Sequence, residues 1–155
     1  MLHKIIPIAF SLFTLTVLNL NAQVKQATVE VDGFTCSLCA KGVEGQFKAI
    51  EFIKSVEANL REASFHIVFS DTRAIELSQL QTAVKDGGFT VRNIIINAAG
   101  IIDQSESGYS LTTGNTEEIK VNEISDGINP GDHVEITGIY DATKNIINIS
   151  TIKKL

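Results

Sequence analysis

The hydrophobic period of this chain changes abruptly across one stretch, Gly33-Phe34-Thr35-Cys36-Ser37-Leu38-Cys39, and that change restricts the fold more than any other feature. Ahead of it, Ala27, Val29 and Val31 alternate with Thr28, Glu30 and Asp32, the period of two of a strand with one buried face. Behind it, Cys39, Val43, Phe47 and Ile50 fall on one face of a helix. Gly42 and Gly45 lower the helix propensity locally and are expected to let a neighbouring backbone come close. The junction also holds both cysteines of the chain, three positions apart. A Cys-x-x-Cys pair on a strand-to-helix loop can serve as a soft-metal clamp, a redox dithiol or a disulfide staple.

The pattern continues with two strand-like runs, 53–60 with Val56, Ala58 and Leu60 inward, and 64–69 with Phe65, Ile67 and Phe69 inward. Arg61-Glu62 is a short polar turn, so the runs predict an antiparallel hairpin. Asp71 or Thr72 can cap a second helix with Leu77, Leu80 and Val84 on its apolar face, ending at Gly87-Gly88. Residues 91–96 read as a fourth strand. The order βαββαβ is ferredoxin-like, with two helices on one face of the sheet. Asn97 to Gly100 reads as a small-residue linker. Beyond it, residues 98–155 predict short strands at 100–103, 109–111, 119–121, 133–140 and 146–152, with turns at Asn129-Pro130-Gly131-Asp132 and Asp141 to Asn145. The fold class is therefore α+β: a ferredoxin-like domain over 23–97 and a small all-β barrel over 98–155.

The first residues carry a different signal. Met1-Leu2-His3-Lys4 is a basic start, Ile5 to Leu20 is apolar, and Asn21-Ala22-Gln23 places a small residue at a cleavage position. Residues 1–22 read as a secretory signal cut between Ala22 and Gln23, which implies export to a periplasmic or extracellular compartment. An uncleaved membrane anchor is the competing reading. The apolar run is shorter than the roughly 20 residues a spanning helix needs, and Pro7, Thr14 and Thr16 interrupt it. No cysteine stands at the cut to take a lipid, so no membrane association is expected after cleavage.

A formal net charge of −5 with no basic cluster argues against nucleic acid as a partner and suits a cation or a basic protein face. Thiolates select Cu(I), Zn(II) and other thiophilic ions. With the second sulfur in the first helical turn, free N–H groups and the helix dipole favour the thiolate. A full zinc site takes four ligands, and this loop offers two cysteines with no histidine beside them. Two-sulfur ligation of Cu(I) is the simpler match. The oxidising export route favours a disulfide by default, so the redox and staple readings stay open. A thioredoxin-type enzyme is disfavoured, because the motif lacks flanking Trp and Pro and the chain contains no Trp.

The stretch Gly33 to Cys39 followed by Val43-Glu44 resembles the heavy-metal-associated domain family of copper chaperones, N-terminal modules of copper-transporting ATPases and periplasmic mercury-binding proteins. The similarity extends through Ser55-Val56, the Phe65 to Phe69 strand and Gly87-Gly88-Phe89-Thr90-Val91, covering roughly 24–96. The resemblance implies that Cys36 and Cys39 are metal ligands, with Cu(I) first and Zn(II) or Hg(II) as alternatives. It also implies a metal transporter or cuproprotein target as partner, and no catalytic turnover. Phe34 stands where the family has Met. Phe89 takes the position of a residue that packs beside the site, where chaperones for P-type ATPases often carry Lys.

Elsewhere the chemistry is sparse. His66 projects opposite to Phe65 and Ile67, and His133 begins a strand; both read as solvent-facing. Asp103, Glu106, Glu117 and Glu118 are scattered acids without a calcium-loop pattern. No nucleophile–base arrangement or phosphate loop occurs. Gly131-Asp132-His133-Val134-Glu135-Ile136-Thr137-Gly138, then Asp141 and Ile147 to Ile152, faintly resemble small exported OB-like domains of bacteria, which implies a barrel and nothing about a ligand.

Overall fold

The structure is a computed structural model that describes residues 22–33 and 36–155. The segment expected to be a signal, apart from Ala22, lies outside the described residues, as do Phe34 and Thr35. The first half follows the expected order: β1 (Val24–Asp32), α1 (Ser37–Lys48), β2 (Ile53–Asn59), β3 (Ser64–Phe69), α2 (Ser78–Asp86) and β4 (Thr90–Ser105). These strands pair as β2-β3-β1-β4, antiparallel throughout. The alternation read from the sequence sets the register, with Val29 opposite Phe65 and Ile94, and Ala27 opposite Ile67 and Ile96. That face buries against Val43 and Phe47 of α1 and Leu80 and Val84 of α2, all fully buried. Phe47 and Phe65 meet edge-on with ring centroids 5.3 Å apart, a geometry worth about 0.5–1.5 kcal/mol beyond area burial.

Three local expectations change. Leu60 does not face inward; it is 50% exposed in the β2–β3 turn. There the Asn59 carboxamide oxygen accepts the Arg61 and Glu62 N–H groups, so the strand ends one residue earlier. Neither Asp71 nor Thr72 caps α2, which begins at Ser78 after Leu77. Ile75 is buried, its N–H donates to the Asn115 carbonyl at 2.6 Å and it bridges to Thr116, so residues 71–73 form a turn and a bend ahead of that bridge rather than the first turn of α2. The Glu76 carboxylate, accepting from Gln79 Nε2 and Ser78 Oγ, serves this end of the helix instead, and those bonds lower its pKa. Finally, Gly42 and Gly45 face open space. The close approach is at Gly87, where a Cβ would lie 2.8 Å from Val43 Cγ2.

The largest change concerns Asn97 to Gly100. It is no linker between two domains. β4 runs unbroken through it for 16 residues, pairing with β1 on one side while Ile95 to Ile101 pair with β7 (His133–Asp141) on the other. Small residues stand there because three strands crowd the position. A Cβ on Gly100 would lie 2.5 Å from the Thr112 carbonyl oxygen. The boundary at 97/98 therefore falls inside a shared strand.

From β4 the second half closes on itself. β4 pairs with β5 (Gly108–Thr112), β5 with β6 (Ile119–Val121), β6 in parallel with β8 (Ile146–Lys154), β8 with β7, and β7 with β4 again. Ile102, Leu111, Ile119, Val134, Ile136 and Ile147 fill the interior and are almost completely buried. They belong to one apolar cluster with the core under the helices. The turns are built as their residues require: Asp132 Oδ2 accepts the Asn129 N–H with Gly131 at φ 91°, and Asp141 Oδ1 accepts the N–H groups of Thr143 and Lys144. Among the described residues no helix is long and apolar enough to cross a membrane.

Candidate functional site

β1 delivers the cysteine loop and α1 fixes it. Asp32 ends the strand, and Gly33 follows at φ 76°, a left-handed conformation that side chains resist. Cys36 is extended (φ −125°, ψ 145°) and occupies the N-cap of α1. Its sulfur accepts the Cys39 N–H at 3.1 Å, and its carbonyl accepts the Ala40 N–H. The cap thus uses sulfur where Ser or Asp would use oxygen. Cys36 is exposed, Leu38 is 80% exposed, and Cys39 is half-buried against the core.

The two sulfurs are joined as a disulfide, with Cα atoms 5.3 Å apart. The Cys-x-x-Cys pair is therefore brought together as the spacing implied, in its oxidised form. A disulfide carries no thiolate charge, so ligation through these sulfurs requires a two-electron reduction first. Among the described residues no set of three or more His, Cys, Asp or Glu side chains converges. A four-ligand zinc centre is not assembled from them.

The same end of the sheet holds the β2–β3 turn, where the Val31 N–H donates to the Ala63 carbonyl, and the start of β4, where Thr90 faces Asp32. Phe89, just ahead of β4, is half-buried against the core. The remaining expected residues lie elsewhere. His66 is exposed on the uncovered sheet face, beside Thr28 and Glu57. His133 is half-buried rather than solvent-facing, because it opens β7 and its carbonyl accepts the Leu155 N–H. Asp103, Glu106, Glu117 and Glu118 are exposed and do not converge.

Two groupings escaped the sequence. Arg92 reaches across from β4 to Asp32, a pairing that depends on strand register. A cleft of about 830 Å³ opens between the segment before α2 and the barrel, lined among others by Arg73, Glu76, Asn115, Glu117 and Tyr140. Burial and the nearby carboxylates of Asp141, Glu76 and Glu117 raise the Tyr140 pKa.

Residues 28–90 match the family model of the heavy-metal-associated domain. This segment is a heavy-metal-associated domain. The copper chaperone CopZ of Staphylococcus aureus (strain MRSA252) is 29% identical over 66 residues, covering 43% of this chain and 96% of the chaperone. The cation-transporting ATPase HMA5 of Oryza sativa subsp. japonica is 34% identical over 64 residues, 41% of this chain and 6% of the ATPase; the chain spans a small fraction of that relative. Among solved structures, a CopZ metallochaperone superposes with TM-score 0.40 at 27% identity, over 43% of this chain and 97% of the other. Oxidized MerP from Ralstonia metallidurans CH34 does so with TM-score 0.40 at 24% identity, over 44% and 97%. Residues 91–155, including the barrel, lie outside the segment matched by the family model.

Proposed function

We propose that this is an exported metal-binding protein that sequesters or relays a thiophilic ion, Cu(I) before Hg(II) or Zn(II), through the thiolates of Cys36 and Cys39. The observation that carries this reading is the meeting of both sulfurs at the exposed start of α1, inside a heavy-metal-associated domain. Once reduced, they offer two soft donors on one helical turn, with the free N–H groups of that turn favouring their charge. Two donors suffice for Cu(I) or Hg(II), whereas Zn(II) would need ligands from elsewhere. Exposure of Cys36 lets the thiols of another protein reach a bound ion, as a relay requires. Exposed Leu38 beside it offers that partner an apolar contact. The relatives, a copper chaperone and a cation-transporting ATPase, point to a metal transporter or cuproprotein as the partner class. No catalytic turnover is assigned.

Export rests on the N-terminal signal pattern and implies a periplasmic or extracellular site of action, where reduction of the disulfide becomes the controlling step. The five-strand ring β4-β5-β6-β8-β7 with its single parallel pair, β6–β8, favours the OB-like reading of the second half. We assign it the role of holding the metal-binding half or docking a partner.

Anaerobic titration of the reduced protein with Cu(I) tests the proposal. One tight equivalent is expected, lost in C36S and in C39S; unchanged binding in both variants would overturn it. The disulfide itself favours a second reading, a thiol–disulfide or stapled protein without metal function. Equilibration with glutathione separates the two. A potential below about −300 mV marks a permanent structural disulfide and defeats the metal proposal.

A further inference from the structure

The pairing of β1 with β4 slips by one residue just before the cysteine loop. Glu30 faces Asn93 and Val31 faces Val91, so Arg92 is the extra residue of a bulge. A bulge frees a residue from the ladder and re-aims its side chain. Here the guanidinium folds onto β1: Nε donates to Asp32 Oδ1 at 2.8 Å and Nη2 donates to the Val31 carbonyl at 3.3 Å. Both acceptors belong to the last two residues of the strand. Gly33 turns next, and Cys36 caps α1 three positions later. The neighbouring acid, Glu30, accepts from Asn93 Nδ2 at 2.7 Å and acts on the guanidinium through its charge.

We infer that Arg92 is a positioning residue for the dithiol: the bulge aims its planar fork at the root of the loop and fixes the direction in which the chain leaves β1 for Cys36. The inference rests on the metal-binding reading of that loop. A lysine could supply the charge but not two divergent bonds from one rigid group. In the continuous ladder a one-residue slip would also send the side chain to the opposite face. Fixing the root holds the two sulfurs near each other before either a metal or a disulfide joins them, which raises their effective concentration.

The test uses the full folded chain with R92Q, which removes the guanidinium and both its bonds, D32N, which removes the carboxylate charge that it meets, and R73Q as control. Arg73 makes an exposed ion pair of the same length, 2.8 Å, with Glu51. Two constants are read: Cu(I) affinity by competition with a chromogenic chelator, and the Cys36–Cys39 dithiol–disulfide equilibrium in glutathione buffers. R92Q and D32N are expected to weaken Cu(I) affinity about three- to tenfold and to move the equilibrium toward the dithiol by a similar factor. That is the low end for residues that support metal ligands, because both partners here are exposed. R73Q should leave both constants at the wild-type value. Constants within about twofold of wild type in R92Q and D32N, or equal shifts in R73Q, would overturn the inference. If the wild-type protein takes up no Cu(I), the functional reading fails by itself, and the glutathione equilibrium still decides the role of Arg92.

Discussion

Asn115 offers the sharpest test of how the two halves are joined. It lies between β5 and β6 and is 7% exposed. Its side-chain oxygen accepts the Val24 N–H at 2.9 Å, and its side-chain nitrogen donates to the Val24 carbonyl at 3.1 Å. Its own carbonyl accepts the Ile75 N–H. One amide thus ties the first residue of β1 to the barrel. In N115A the N–H and carbonyl of Val24, a residue 1% exposed, lose these partners. Each orphaned buried group costs about 1–3 kcal/mol, part of which is offset because the asparagine no longer has to be desolvated. A net loss of about 2–4 kcal/mol follows, from a total stability of order 5–15 kcal/mol. With a urea slope near 2 kcal/mol per molar, the midpoint followed by far-UV circular dichroism should fall by about 1–2 M. N115D separates bonding from shape. Its carboxylate keeps the acceptor, loses the donor and sets a charge against the Val24 carbonyl, so at neutral pH it should be no more stable than N115A. Burial raises the carboxyl pKa of that variant, and protonation restores a donor, so it should regain stability relative to N115A as pH falls. A loss below about 0.5 kcal/mol in N115A, or N115D clearly more stable than N115A at pH 7, would refute the reasoning.

The glycines and one carboxylate give further checks by the same measurement. G100A and G138A should each lose about 1–3 kcal/mol or more, because the added Cβ would lie 2.5 Å from a backbone carbonyl oxygen, of Thr112 and Asn148 respectively. G42A, open on all sides within α1, should gain about 1 kcal/mol; equal behaviour of all three would contradict the packing described. Asp132 has its carboxyl pKa lowered by the Lys154 ammonium, 2.8 Å away, and by the Asn129 N–H. A depressed folded-state pKa stabilises fully above the unfolded value, near 3.9, and ceases to as pH falls through the folded value. The midpoint gap between wild type and D132N should therefore be present at pH 7 and shrink as pH falls below the unfolded value; a gap independent of pH would exclude this linkage.

Much of the fold was legible because burial on one face imposes a period that the sequence cannot hide. Val29, Phe65 and Ile67 declare their side, and the strand windows of the barrel were located to within a few residues except where β4 runs through. What stayed hidden depends on neighbours rather than on pattern. Ala98, Ala99 and Gly100 look like a flexible break when read alone; they are small because β1, β5 and β7 crowd the same stretch of β4. Gly42 and Gly45 invite a packing explanation that belongs to Gly87. At the site, the cysteines announced themselves by spacing, but Arg92 could not. Its reach to Asp32 exists only through the bulge, and no local signal marks which residue of a strand is left unpaired.

The family match ends at residue 90, where β4 begins, whereas β4 continues for 16 residues, about 50 Å of extended chain. The inherited segment and the folding unit are thus of different lengths. A fragment cut where the resemblance stops would leave β1 with almost none of its partner and a long bare edge, the kind of surface that recruits other chains. The barrel anchors the far half of the strand that completes the helix-covered sheet. Heredity marks one segment here, but cooperativity claims a longer one.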